Sequence, residues 1–285
     1  MLATTRSSIL ATGIGSLLLW SSMCLSVAHA QRIDFDTLRR HSLQIGTGFG
    51  SYATHDQMGS PFIYSASIGP FSVDYMYRSG YATHDIHVCF SIGGVNGSFL
   101  HAPVPSGQLD RASLFTLFDL AYTQLRPCGS FDDERLRIAV GGTIDLWGAA
   151  RAYLYSSTDI SSEDRAFSYD AAMTLGASVR GSYSLTSDLE CQATVSIPLI
   201  GALIRPPYNF FTSELTAISW SDVHLVGIGG FVSWDASLGA SFALSPLFVL
   251  NAAFNSRYFR YSRNNWESAN LEQVIALGLE WRFAL

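Results

Sequence analysis

From Leu271 to Leu285 the chain alternates with a period of two. The odd positions Leu271, Gln273, Ile275, Leu277, Leu279, Trp281, Phe283 and Leu285 are almost wholly apolar and end in aromatics. The even positions Glu272, Val274, Ala276, Gly278, Glu280, Arg282 and Ala284 are small or charged. Such alternation describes a strand whose two faces meet different surroundings. In most antiparallel strands the apolar face meets a protein core. Here the pattern recurs along the chain, with Asp, Glu and Arg on the opposite face, behind a segment that reads as an export leader. Lipid against the apolar face and a barrel lumen against the polar face account for all of this.

The leader is predicted over residues 1–30. Arg6 supplies a positive charge, an apolar stretch runs from Ile9 to Val27, and Ala28-His29-Ala30 offers small residues for cleavage. A retained helical anchor is the rival, but Gly13, Gly15, Ser16, Ser21 and Ser22 interrupt the run. A lipoprotein site at Cys24 is disfavoured by Met23 before it. Residues 31–285 then form one domain, with no linker or composition break. No apolar run in this part approaches the roughly 20 residues of a membrane helix. Yet only 14% of the residues are charged and 13% are aromatic. Low charge without a helical span fits a membrane barrel, whose lipid-facing band replaces a polar exterior.

Composition also excludes functions. All 17 basic residues are arginine, so no lysine nucleophile or base is available. A net charge of −6 argues against nucleic acid, which needs a basic footprint. Cys89, Cys128 and Cys191 are too dispersed for a disulfide framework.

Alternating segments are predicted at 42–52, 62–77, 86–94, 112–125, 134–153, 167–184, 189–204, 223–244, 247–261 and the C-terminal stretch. Gly46, Gly48 and Gly50 in the first suit a tightly curved strand better than a phosphate loop, since no helix pattern follows. The second changes phase at Gly69-Pro70, which predicts a bulge. Residues 127–133 predict a turn, and Pro198 an irregularity. The connections at 53–61, 96–111, 154–166, 205–222 and 262–269 are mostly long, and those at 126–133, 185–188 and 245–246 short. Long and short alternate as outer loops and periplasmic turns do. The expected fold is all-β: a transmembrane antiparallel up-and-down β-barrel of about ten strands. Splits at Gly69-Pro70 and Gly229-Gly230 would make about twelve.

On these grounds the chain resembles the outer-membrane β-barrel proteins of Gram-negative bacteria. Ile275, Leu277, Leu279, Trp281 and Phe283 resemble the C-terminal signature shown to the barrel-assembly machinery. The last residue is Leu285 where an aromatic is usual. Ser60-Pro61-Phe62-Ile63-Tyr64 and the stretch from Leu199 to Tyr208 also resemble barrels of the Bacteroidetes group. The resemblance implies an outer-membrane location, contact with its lipid, and docking on the assembly machinery through Trp281, Phe283 and Leu285. It implies no reaction.

The chemistry-bearing residues fall into three groups. Tyr-Ala-Thr-His-Asp occurs twice, ending in His55-Asp56 and His84-Asp85. A His beside an Asp is a candidate base with its carboxylate. A ten-strand topology sends the copies to opposite ends; twelve strands would bring both to the outer rim. Adjacent residues of a strand point apart, which favours turn or interface chemistry over catalysis. His101 and Ser106 share a long loop, but no Gly-x-Ser-x-Gly is present. His84, Asp85 and His87 lack a metal-ligand cluster around them, and no metal or cofactor is expected. The second group is a predicted lumen network: Asp74, Asp119, Asp145, Asp170, Glu190, Asp235, Glu272 and Glu280 facing Arg135, Arg137, Arg180, Arg257 and Arg282. Opposite charges in a narrow barrel brace and fill it, whereas a selective pore prefers one sign. The third group is Tyr208, Phe210, Phe211 and Trp220, a predicted contact surface on the 205–222 loop. The leading expectation is a monomeric, largely charge-filled barrel with a structural or docking role. A narrow solute channel and a rim hydrolase or protease are the alternatives.

Overall fold

A computed structural model of the protein describes residues 40–56, 63–96, 112–132, 135–155, 164–204, 223–227, 231–263 and 266–283. The predicted leader and the 205–222 loop, with Tyr208, Phe210, Phe211 and Trp220, lie outside these residues, as does Leu285. The described elements are all strands: β1 (His41–Asp56), β2 (Ile63–Arg78), β3 (Thr83–Asn96), β4 (Ala112–Phe131), β5 (Leu136–Tyr155), β6 (Asp164–Ser184), β7 (Leu189–Ile204), β8 (Val223–Gly227), β9 (Phe231–Ala243), β10 (Phe248–Arg263) and β11 (Trp266–Phe283).

Each strand pairs antiparallel with its sequence neighbour, and β1 pairs with β11 from His41↔Phe283 to Asp56↔Ser268. The wall is therefore closed. β8 and β9 share one place in it. β7 pairs with β8 at Ile200↔Gly227 and with β9 at Ser196↔Asp235. The barrel thus has ten staves. Gly229-Gly230 falls at the break inside one stave, and Gly69-Pro70 lies within β2, so neither adds a hairpin.

The register corrects three expectations. No bulge exists at Gly69-Pro70, because the β2–β3 ladder runs without a shift from Ser67↔Gly94 to Arg78↔Thr83. Ala66, Ile68 and Pro70 are buried on the lumen side, in phase with Asp74. They are apolar because the lumen is apolar at that height. The turn expected at 127–133 is shorter: β4 runs on to Phe131, absorbs Cys128 as a bulge between Pro127 and Gly129, and turns at Asp132 with φ 56°. The connection expected at 262–269 shrinks to residues 264–265, since pairing reaches Arg263↔Trp266. At Pro198 the expected irregularity is a bulge: Leu175 faces Ile200 but Gly176 faces Pro198. The extra residue, Leu199, inverts the phase, so Leu203 beyond it is buried.

Four connections at one end are all short. Three use the same device, a side-chain hydroxyl accepting a backbone N–H three residues on. Ser79 Oγ takes Ala82 N at 3.0 Å, Thr186 Oγ1 takes Leu189 N at 3.0 Å, and Ser245 Oγ takes Phe248 N at 3.1 Å. The opposite end carries the longer connections, together with the two-residue link 264–265. Around the outside runs a belt of exposed apolar side chains, among them Ile45, Phe49, Phe90, Leu120, Met173, Leu250 and Leu277. Phe49 is 68% exposed and Leu277 56%. An apolar belt around a closed wall needs hydrocarbon as its solvent. Inside, β1 lies so close to β11 that a Cβ on Gly48 would stand 2.3 Å from Ile275 O. The run Gly46, Gly48, Gly50 makes this approach possible.

Candidate functional site

The lumen has two halves of opposite character. The half toward the long connections is packed with Tyr52, Ile68, Phe115, Leu117, Trp147, Leu203, Phe231, Phe259 and Val274, all buried. The alternation places them there: each sits on the lumen face, near the long-connection end of its strand. They meet across the interior. Tyr52 on β1 contacts Phe115 on β4 at 5.6 Å between ring centroids, and Trp147 on β5 stacks on Phe259 of β10 at 5.6 Å. Phe231 packs edge-on against Phe259 at 5.1 Å. This layer fills the barrel from wall to wall.

Toward the short turns the lumen opens into a cavity of about 960 Å³, where charged and polar residues are set among apolar ones. Of the predicted network all but Asp170 line it. Arg257 is its centre. Its Nη2 lies 2.7 Å from Asp119 Oδ2, 2.8 Å from Asp235 Oδ2 and 3.8 Å from Asp145 Oδ1. Glu272 is its cross-strand partner on β11. Nearer the mouth, Arg137 pairs with Glu190 at 2.5 Å and Arg282 with Glu280 at 2.8 Å. Asn251 donates to Glu280 at 3.2 Å. Arg180 reaches Asp85 at 2.5 Å, three staves away. Arg135 lines the mouth. Asp170 stands apart, 4% exposed, beside Ala149 in the apolar half. Apart from Asp170 the charges named here occupy one half of the lumen, and the expectation of a largely charge-filled lumen is corrected to that extent. A hoop of hydroxyls completes the wall: Thr123 to Thr143 at 2.9 Å, Thr143 to Ser178, and Ser178 to Ser196 at 2.7 Å.

Two participants escaped the sequence reading. His87 hydrogen bonds to Asp74 through Nδ1 and places Nε2 3.7 Å from Asp119. It joins β2 to β4 through β3. Its phase, shared with Asp85 and Cys89, was the available signal. Asp85 was read as half of a His-Asp pair, yet it faces inward to Arg180 while His84 faces outward.

The two His-Asp copies stay apart. His55 is one residue from the long-connection end of β1, and His84 lies one residue into β3 at the short-turn end. Asp56 ends β1 beside His55. His84 Nδ1 contacts Tyr122 Oη at 2.9 Å, and its ring stacks between Tyr77 and Tyr122 on the outer wall. No dyad or metal cluster forms from these residues among those described.

Comparison with solved structures finds the same fold in the outer membrane protease OmpT from Escherichia coli. The TM-score is 0.50 at 11% identity, over 88% of this chain and 100% of that one. The translocator domain of the autotransporter NalP from Neisseria meningitidis aligns with a TM-score of 0.43 at 10% identity, over 98% of each chain. Ail, the attachment invasion locus protein of Yersinia pestis, gives 0.33 at 10% identity, over 86% of this chain and 100% of that one. No protein-family model and no curated protein matches the sequence. The fold is that of bacterial outer-membrane β-barrels, and the lipid-demanding belt places the chain in that membrane.

Proposed function

We propose that the protein is a non-conducting outer-membrane barrel that acts in envelope structure or partner docking through its long loops. One observation carries this reading: the aromatic and aliphatic layer around Phe115, Trp147 and Phe259 fills the lumen on the long-connection side. An ion crossing such a layer loses its hydration and meets few polar groups there, chiefly Thr54, Asp170, Ser268 and Asn270. Long connections face outward in this architecture, so the charged cavity opens to the periplasm. The outer loops then carry partner contacts, with Tyr208, Phe210, Phe211 and Trp220 as the apolar surface of one. The barrel works as a monomer, and Trp281, Phe283 and Leu285 guide its last strand to the assembly machinery. Kinship with Bacteroidetes barrels rests on the short motifs at 60–64 and 199–208.

Planar-bilayer recording tests the sealed lumen. The folded protein should give no steady current. A sustained, solute-selective conductance would overturn the reading in favour of a narrow channel. The cavity of about 960 Å³ is the observation that favours this second reading, because it already provides half of a polar path. A rim enzyme finds less support, since His55 and His84 sit at opposite ends of the wall.

A further inference from the structure

On the outer wall at the short-turn end, five rings follow one another across five adjacent staves. Phe283 of β11 stacks on His41 of β1 at 5.8 Å between centroids, and His41 on Tyr77 of β2 at 4.9 Å. Tyr77 stacks on His84 of β3 at 5.7 Å, and His84 on Tyr122 of β4 at 6.2 Å. Aromatic rings at this height are ordinary in a membrane barrel. Two imidazoles held among them in the same way are not explained by that.

Each imidazole is fixed by a phenol. His41 Nδ1 lies 2.7 Å from Tyr75 Oη, and His84 Nδ1 lies 2.9 Å from Tyr122 Oη. In both cases the tyrosine stands two residues from the cross-strand partner of the histidine, since His41 faces Tyr77 and His84 faces Gln124. With the phenol donating to Nδ1, each ring carries its proton on Nε2, on the side away from the tyrosine. Tyr77 lies between the two rings and holds them side by side. Arg126, exposed on the same wall beyond Tyr122, adds permanent positive charge. Outward positions of β1–β4 at this end carry no carboxylate among the described residues: Asp74, Asp85 and Asp119 all line the lumen. Asp132, in the turn after β4, is engaged by Tyr183 Oη at 3.2 Å.

We propose that this patch binds the headgroup of an anionic phospholipid. The phosphate accepts from His84 Nε2–H with Arg126 supplying charge beside it, an ester carbonyl of the same lipid accepts from His41 Nε2–H on the far side of Tyr77, and the acyl chains lie along the belt above Leu43 and Ile86. Tyr77 sets the spacing of the two donors. The inference rests on the belt being lipid-covered and is independent of whether the lumen conducts.

Native mass spectrometry of the folded, detergent-purified barrel tests it, with phosphatidylglycerol and phosphatidylcholine of matched chains offered in equal amounts. Wild type should retain phosphatidylglycerol over phosphatidylcholine by about fivefold, the effect of one basic side chain at a membrane surface. The double variant His41→Gln/His84→Gln should lose that preference, and Arg126→Gln should reduce it. His55→Gln, at the other end, should keep it. Inorganic phosphate in excess should leave bound phosphatidylglycerol in place; displacement by it would mean that a free ion, not a lipid, is recognised. Equal retention of both lipids by wild type overturns the proposal without any variant. So does an undiminished preference in a folded double variant.

Discussion

Arg257 and Asp119 lie 138 residues apart in sequence and 2.7 Å apart in space, on strands that face each other across the lumen. β10 and β4 are five staves apart in a wall of ten, so this pair spans the barrel. Asp235 and Asp145 gather on the same guanidinium. Arg257→Ala leaves those carboxylates facing one another with no cation between them. It should lower stability by about 3–5 kcal/mol, read as the urea midpoint of the detergent-folded barrel. Arg257→Met combined with Asp119→Asn and Asp235→Asn should cost less than the single change. If the triple variant is the weaker one, the cluster is not held by compensation of charge.

The aromatic layer makes a separate prediction. Phe115 has 0% exposure, and Phe115→Ala should cost about 3–5 kcal/mol. The double variant Phe115→Ala/Phe259→Ala removes a ring from each of two facing walls. It should show current steps in planar bilayers that wild type does not. Silence from a folded double variant would mean that the seal lies elsewhere.

Closure of the barrel depends on Gly48. Gly48→Val would press its side chain against Ile275 O, where a bare Cβ already stands at 2.3 Å. The variant should fail to give the compact, heat-modifiable band on a gel. Thr47→Val, one position away on the outer face, should fold normally.

The belt predicts a fourth outcome. Leu277→Arg exposes a guanidinium to hydrocarbon and should destabilise the barrel in vesicles by about 2–4 kcal/mol. Ser237→Arg, into the cavity, should cost markedly less. Equal costs would argue that Leu277 does not face lipid.

How much of this was legible can be argued from single residues. Leu277, Phe90 and Met173 announced the outer face, because alternation is local and the belt is continuous around the wall. The short turns announced themselves through Ser245-Pro246 and Thr186-Ser187-Asp188. Ile68 and Phe115 misled, or said nothing, for one reason. An apolar residue looks alike in sequence whether it meets lipid or another side chain across the lumen. The distinction appears only when several strands are aligned in register. The phase change read at Gly69-Pro70 was this effect: β2 keeps its register while its lumen face passes from Ile68 to Asp74. The network members were visible as inward charges, but their pairing was not. Arg180 meets Asp85 three staves away, a relation fixed by barrel size and strand stagger.

The pairing of β1 with β11 bears on the order of events during biogenesis. The first stave has no second neighbour until the strand ending at Phe283 is delivered, so the ring closes only after all the other staves have been made. Until then β1 must be kept from other chains by something outside the molecule. A nascent barrel of this kind therefore stays open until that stave arrives and completes the enclosure.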